Sequence, residues 1–262
     1  MKIVVCIKQV PGTTEVEVDP KTGVLKRDGV DSKLNPYDLY ALETALRIKH
    51  GHGATVKAIS MGPPQAAQVL REAYMMGVDE AVLLTDRKFA GADVLATAYA
   101  LSQGIRQGGT PDLIICGKMT TDGDTAQVGP EIAEFLDIPH VANVRRILEV
   151  GADAVTVEMD MAATVEIAKV SYPCLITVEK GIFQPRLPSF RLKLETRDRA
   201  IPHITLQDLA DQDPSHYGLN GSPTQVKRIF PPEVNHDQER WTGPGPELAE
   251  RLSQRLHQLK FV

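Results

Sequence analysis

The sequence predicts an α/β fold: a doubly wound, mostly parallel sheet with an antiparallel excursion and an extended C-terminal arm plus helix. Three observations predict it. Over the first 140 residues, short runs of β-branched and aliphatic residues alternate with amphipathic stretches, the pattern of βαβ units with right-handed crossovers. Between residues 141 and 180, apolar runs follow one another with only tight turns between them. Beyond Lys180, proline and glycine recur and helical periodicity returns only near the end.

Ile3–Ile7, Thr55–Ile59, Ala81–Leu84 and Leu113–Cys116 are continuous apolar runs, as strands buried on both faces should be. The first helix takes Asn35 as its cap, Pro36 in its first turn and Gly51 as its stop, with Leu39, Leu42, Leu46 and Lys49 at helical spacing. The second runs from Pro64 to Met76 and stops at Gly77, the third from Asp93 to about Ile105, the fourth from the region of Asp122 to Leu136. Pro130 suits a first turn, so the fourth helix begins near Gly129 or bends there. Val141–Val150, Ala154–Met159 and Thr164–Val170 read as antiparallel strands, with Gly151-Ala152-Asp153 as a turn. In the run Val170–Val178, Pro173 marks either an edge strand or a strand's beginning. From Lys180 to about Val234, Pro185, Pro188, Pro202, Pro214, Pro223, Pro231 and Pro232 indicate an extended arm outside the core. Glu247–Leu259 places Leu248, Leu252, Leu256 and Leu259 on one helical face beyond the linker Thr242–Pro246. So short a helix is marginal alone and is expected to dock on something. The division is 1–180 for the sheet domain, 181–234 for the arm, and 235–262 for the linker and helix.

Composition narrows the function. With 42% hydrophobic and 24% charged residues among 262, global disorder is excluded. A net charge of −5 removes any general attraction for nucleic acid, and one Trp, six Tyr and six Phe offer few stacking platforms. No apolar run reaches the ~18 residues of a membrane span. Ile3–Ile7 is too short for a signal-peptide core, so a cytoplasmic chain is expected. Cys6, Cys116 and Cys174 lie far apart without metal-ligand spacing and read as buried, reduced thiols, with no metal site. The seven histidines have no partner in a nucleophile motif, which argues against hydrolysis.

Ligands of doubly wound sheets bind outside the carboxyl ends of the strands, so the loops there carry the functional candidates. The richest is Gly117-Lys118-Met119-Thr120-Thr121-Asp122-Gly123-Asp124-Thr125-Ala126-Gln127-Val128-Gly129-Pro130. Its small residues admit a phosphate, helix N-terminal amides favour an anion, and Thr and Asp suit ribose hydroxyls. The same residues fit a plain turn with two acidic caps, and Walker spacing is absent. Ser60–Pro64, Asp86–Asp93 and Lys8–Pro11 are weaker loops of the same kind, the first more readily a helix cap. All four fall on one sheet edge, and this convergence supports a nucleotide-like ligand.

KIVVCIKQVP at the start, LNPYD at 34–38, AISMGPP, REAYMMGVDEAVLL, GKMTTDGDTAQVGP and GLNGSPTQVKRIFPP occur in this order over residues 1–234. Together they resemble the beta subunit of electron-transfer flavoproteins. The resemblance implies an adenine-nucleotide-binding sheet and a heterodimer with an alpha subunit that carries one FAD. In respiratory members the beta subunit holds AMP as a non-redox scaffold. In electron-bifurcating members it holds a second FAD that takes a hydride pair from NADH. One electron then goes to ferredoxin or flavodoxin, the other through the alpha-subunit FAD to a flavin-linked dehydrogenase. DGDTAQVGP is similar to the FAD-holding form, so the resemblance implies the bifurcating type.

Carried over by position, the resemblance puts Cys6, Ile7 and Lys8 beside the adenosine, and Asn35, Pro36 and Tyr37 near the nucleotide. Met61 and Gly62 match the second-strand turn. Gly117, Lys118, Asp122, Gly123, Asp124, Thr125, Ala126 and Gln127 match the ribose–phosphate loop. Phe89, Gly91, Ala92 and Asp93 resemble a segment near the flavin or NADH. No acid–base catalyst is implied, since the chemistry is the flavin's. The family's docking loop, Pro-Arg-Tyr-Pro-Ser-Leu-Pro, reads here Pro185-Arg186-Leu187-Pro188-Ser189-Phe190-Arg191. Phe190 would be the apolar anchor, flanked by Arg191 and Lys193, with Leu187 also among the docking residues. This departure makes a dehydrogenase of lactate or another 2-hydroxy acid an alternative to the acyl-CoA type. The closing helix resembles the arm that this family wraps around its alpha subunit.

Overall fold

The computed structural model describes residues 1–12, 32–227 and 238–262. They fall into two compact units, Met1–Lys227 and Arg228–Val262.

In the first unit, β1 (Lys2–Cys6) leads into a small antiparallel ribbon of β2 (Gln9–Pro11) and β3 (Ser32–Leu34). Then come α1 (Pro36–His52), β4 (Thr55–Met61), a single 3₁₀ turn at Pro64–Ala66, α2 (Ala67–Met76), β5 (Glu80–Leu84) and α3 (Val94–Gln107). After β6 (Leu113–Gly117) and α4 (Val128–Leu136) follow β7 (His140–Val150), β8 (Ala154–Asp160), β9 (Val165–Ser171) and β10 (Cys174–Val178). A short helix α5 (Phe190–Glu195) and a two-residue strand β11 (His203–Ile204) follow.

The described strands form a nine-stranded sheet in the order β11-β5-β4-β1-β6-β10-β7-β8-β9. Every pairing from β11 to β7 is parallel, and β7–β8 and β8–β9 are antiparallel. This is the doubly wound sheet with its antiparallel excursion. Side chains alternate across the strands, so Ile3, Val5 and Ile7 pack with Leu42, Leu46 and Leu70 of α1 and α2. Val4, Cys6 and Ile114 pack with Leu101 and Ile105 of α3 and Ile132 of α4 on the other face. Each such fully buried aliphatic side chain contributes about 1.5–3 kcal/mol.

Several expectations are corrected. The first helix runs past Gly51 and stops at Gly53, whose φ of 66° closes it in the left-handed conformation. Asn35 stands at the cap position but makes no side-chain cap bond. The fourth helix begins at Val128, well after Asp122; the expectation from Pro130 of a start near Gly129 holds, with Pro130 in the first turn. Pro173 marks a strand's beginning, because β10 lies inside the sheet between β6 and β7. The expectation that residues beyond Lys180 lie outside the core is corrected by β11, which pairs with β5, and by fully buried Tyr217. Proline and glycine there shape a path that hugs the sheet; their density says nothing about burial. Pro231, Pro232, the end of GLNGSPTQVKRIFPP and the boundary at 234 lie outside the described residues.

In the second unit, α6 (Gly245–Gln258) follows Pro244. Glu239 receives Trp241 Nε1 at 3.0 Å and Arg255 at 3.1 Å, while Arg251 covers the Trp241 ring. Among the described residues, no helix is long and apolar enough to cross a membrane.

Candidate functional site

The chain steps outward from β1 to β4 and β5, then returns past β1 to β6. Strand order therefore reverses between β1 and β6, and the crevice outside their carboxyl ends is where such a sheet takes a ligand. The loops leaving these two strands meet there. Lys8 Nζ lies 2.8 Å from each carboxylate oxygen of Asp122. Burial raises the Asp122 pKa, but the Lys8 ammonium outweighs it and holds the carboxyl below its ordinary range. Beside it, Lys118 Nζ pairs with Glu179 at 2.6 Å. Two partly exposed lysines thus stand at the reversal, each tied to a carboxylate of this chain.

Asn35 and Asp38 hold the crevice in shape. Asn35 is fully buried, donates to the Met119 carbonyl at 2.9 Å and accepts from the Thr121 amide at 3.3 Å. Its own amide donates to the Lys8 carbonyl at 2.9 Å. One residue therefore clamps both loops to the start of α1, the 118–127 loop through its side chain and the Lys8 loop through its backbone amide, and that use of the side chain explains why it does not cap the helix. Asp38 is buried and accepts the Lys8 amide at 2.7 Å. Burial pushes its carboxyl up to about 7, against the hydrogen bonds of Asn35, Lys8 and Gly117. Gly117 is dictated by this packing: a Cβ there would stand 2.5 Å from Asp38 Oδ1 and 2.9 Å from Tyr37 Cβ. The residue expected to admit a phosphate admits the first turn of α1.

The loop from Lys118 to Gln127 is not a plain capped turn. Gln127 occupies the cap position of α4 without a side-chain bond, and neither Asp122 nor Asp124 caps that helix. Asp124 and Ala126 both adopt left-handed backbone, with φ of 51° and 56°. Such conformations cost roughly 1–2 kcal/mol per residue and persist where the surroundings enforce them. Among the described residues, the amides of Thr125, Ala126 and Gln127 have no hydrogen-bond acceptor. Free amides, a helix N-terminus and two lysines suit an anion.

The remaining residues divide. Cys6 and Ile7 are buried, with side chains in the two opposite cores. Cys6 and Cys116 are free thiols that face each other in register across β1 and β6, and the hydrogen bond from one to the other, with burial, pushes the Cys116 thiol up. Both thiols are packed in the core, and the raised Cys116 is no nucleophile. Pro36 and Tyr37 are half-buried in the first turn of α1, as are Met61 and Gly62 at the end of β4, one strand away from the reversal. Gly123 lies in the turn where the Asp124 amide donates to the Thr120 carbonyl. Beyond β5, Phe89 is buried with its ring 5.5 Å from that of Tyr217. Asp93 caps α3 through the Ala96 amide at 3.1 Å. Its other oxygen accepts the amide and hydroxyl of Thr224 at 3.0 and 2.7 Å. Ala90 and Gly91 are exposed and Ala92 half-exposed. Leu187 and Phe190 are 86% and 71% exposed, and Arg191 pairs with Glu195.

Sequence reasoning missed Asp38, Glu179 and Ser222 as site-shaping groups. Asp38 stands inside LNPYD, but an acid in a first helical turn reads equally as a dipole partner. Ser222 stands inside GLNGSPTQVKRIFPP, a motif to which the sequence attaches no role, and Glu179 has no local signature.

The geometry defines a doubly wound α/β protein whose β1 and β6 loops meet at its topological switch point. Residues 22–209 match the family model described as the electron transfer flavoprotein domain. The chain is 46% identical over 257 residues to the electron transfer flavoprotein subunit beta of Thermoanaerobacterium thermosaccharolyticum, covering 98% of each chain. It is 44% identical to Protein FixA of Sinorhizobium fredii, covering 88% of this chain and 84% of that one. It is also 44% identical, over the whole of both chains, to subunit CarD of the caffeyl-CoA reductase-Etf complex of Acetobacterium woodii. The chain belongs to the beta-subunit family of electron transfer flavoproteins.

Proposed function

We propose that this chain is the beta subunit of an electron-bifurcating electron transfer flavoprotein, holding FAD and exchanging electrons with NAD(H). The observation that carries the reading is the meeting of the Lys8 and Asp122 loops at the strand reversal, beside the amides of Thr125–Gln127, which have no acceptor among the described residues. Two further features support it: DGDTAQVGP is similar to the FAD-holding form, and the relatives include FixA and CarD proteins.

The residues present fit a dinucleotide. Lys8 and Lys118 supply cations for a pyrophosphate, and the Thr125–Gln127 amides supply donors. Asp122 and Glu179 keep both lysines ordered in its absence and compete with it for them. Asn35 fixes the loop that carries these groups. When bound, FAD supplies acceptance of a hydride pair and release of single electrons. The chain binds and orients; no side chain moves a proton.

The proposed partners are an alpha subunit, ferredoxin or flavodoxin, and a flavin-linked dehydrogenase of the 2-hydroxy-acid or acyl-CoA type. Apolar surface supports partner binding: Val165 and Ile167 on edge strand β9 are 50% and 68% exposed, and Leu252 and Leu259 are half-exposed.

The test is a cofactor count on this chain purified with its alpha subunit. Two FAD and no AMP per heterodimer are expected. One FAD with one AMP would make the chain a non-redox scaffold and remove the NAD(H) site.

A further inference from the structure

The stretch GLNGSPT, Gly218–Thr224, has no part in the proposed anion seat, yet the fold builds it against the Ala90–Asp93 turn. Gly218 has a φ of 54°, and a Cβ there would collide with the Lys88 carbonyl oxygen. Glycine is required because two backbones run in contact. The Leu219 amide donates to the Ala90 carbonyl at 3.0 Å. Ser222, 9% exposed, accepts the Asp93 amide at 2.8 Å and donates to the Gly218 carbonyl at 2.6 Å. Thr224 gives both its donors to Asp93 Oδ2. Burial raises the Asp93 pKa, but these bonds outweigh it and hold the carboxyl below its ordinary range.

The strap is itself fastened. Tyr217 is fully buried, packs its ring against Phe89 and donates to the Asp211 carbonyl at 2.7 Å. The Asp211 carboxylate holds Tyr99 at 2.5 Å and His216 at 2.6 Å. What is held is a turn with Gly91 at φ 75°, whose Cβ position lies 3.3 Å from Leu219 Cβ. The held turn sits on the carboxyl edge of the sheet, outside β5. It also lies close enough to the first turn of α4 for the Asp93 charge to raise the Glu131 pKa, after burial.

We propose that Ser222 and Thr224 are positioning residues that hold the exposed Ala90–Ala92 backbone in the shape needed to receive a nicotinamide dinucleotide. The inference rests on the proposed function and on the resemblance that sets Phe89–Asp93 near the flavin or NADH, of which it takes the NADH side. Phe89 and Asp93 are then not ligand contacts: one is core, and the other is consumed by the cap and the strap. The main chain of Gly91 and Ala92 is the contacting surface, since both backbone groups of Ala90 are bonded within the chain, and the strap residues act through Asp93.

The experiment uses the heterodimer with its alpha subunit and the variants Thr224→Val and Ser222→Ala, with Thr224→Ser as rescue. Amide hydrogen exchange over residues 90–93 reads the turn directly, without turnover. NADH oxidation with an artificial acceptor gives KM and kcat separately. Thr224→Val is expected to speed exchange at residues 91–93 roughly tenfold, the scale of one lost charge-assisted hydrogen bond. It should raise KM for NADH more than it lowers kcat, leave flavin content intact, and be reversed in Thr224→Ser. Thr224 is exposed, so the fold should survive; Ser222→Ala gives a second reading. Unchanged exchange in both variants overturns the strap. Faster exchange with unchanged KM keeps the strap, rejects the turn as the NAD(H) side, and so overturns the inference through that reading.

Discussion

Asp38 is a carboxyl group buried beneath the crevice, where charge is expensive and a proton removes the expense. With its pKa pushed up to about 7 from 3.8, the folded state binds a proton that the unfolded chain has already lost. This group's contribution to stability is therefore complete below about pH 4 and declines as pH rises toward 7. Asparagine matches the protonated acid in shape and in lacking charge, keeping one acceptor oxygen for the Lys8 amide and carrying two N–H donors where the acid has one O–H. Asp38→Asn should remove the decline, leaving the variant equal to the parent near pH 4 and more stable at pH 8. The ceiling is on the order of 4 kcal/mol. Thermal midpoints at pH 4, 6 and 8 check this, and parallel profiles for the two proteins would refute it. The LNPYD motif was legible in the sequence, but the buried end of its acid was not, because burial depends on Gly117 arriving from another strand.

At the scale of elements, α1 does more than fill a sheet face. Its Glu43, almost wholly buried, accepts the Arg186 amide at 3.1 Å, Arg186 Nε at 2.7 Å and Nη2 at 3.2 Å. Arg47 completes the cluster at 2.9 Å and covers the Phe183 ring. Farther along, the Ser189 amide donates to the Met75 carbonyl at the end of α2. The segment with exposed Leu187 and Phe190 is thus anchored on both sides of Leu187, which lowers the entropy lost when an apolar tip is buried by a partner. On the proposed docking role, Phe190→Asp should impair electron delivery to the dehydrogenase while both flavins stay bound. Glu43→Gln should weaken the same encounter roughly tenfold, as expected when charged hydrogen bonds to an anchor are lost. Titration of the heterodimer with its dehydrogenase measures both, and unchanged affinity in the pair would remove this segment as the docking site. The basic and apolar residues here were legible in order, whereas the clasp was not: Glu43 and Arg186 are 143 positions apart.

At the scale of the whole molecule, the two units divide the work. Every residue of both hydrophobic cores belongs to Met1–Lys227, and α6 buries none of its side chains. Deleting Glu247–Val262 should leave the thermal midpoint of the sheet unit nearly unchanged. On the proposed wrapping role of α6, it should weaken assembly with the alpha subunit. Sedimentation of the truncated pair decides it: an equally tight heterodimer would show that the terminal helix has another use.

The sequence alone determined the strand–helix alternation, the parallel sheet, the antiparallel excursion and the edge on which ligand loops gather. Hydrophobic periodicity is local, and strand polarity follows from crossover length. The loop motifs were legible for the same reason, since capping and turn chemistry act within a few residues. Only the tertiary structure decided which of those residues meet. It paired Lys8 with Asp122, spent Gly117 on packing and Asp93 on a strap, and drew Tyr217 from an apparent arm into the core. Each of these joins residues that are distant in the chain. Such contacts are set by how layers stack and by which buried polar groups must be satisfied.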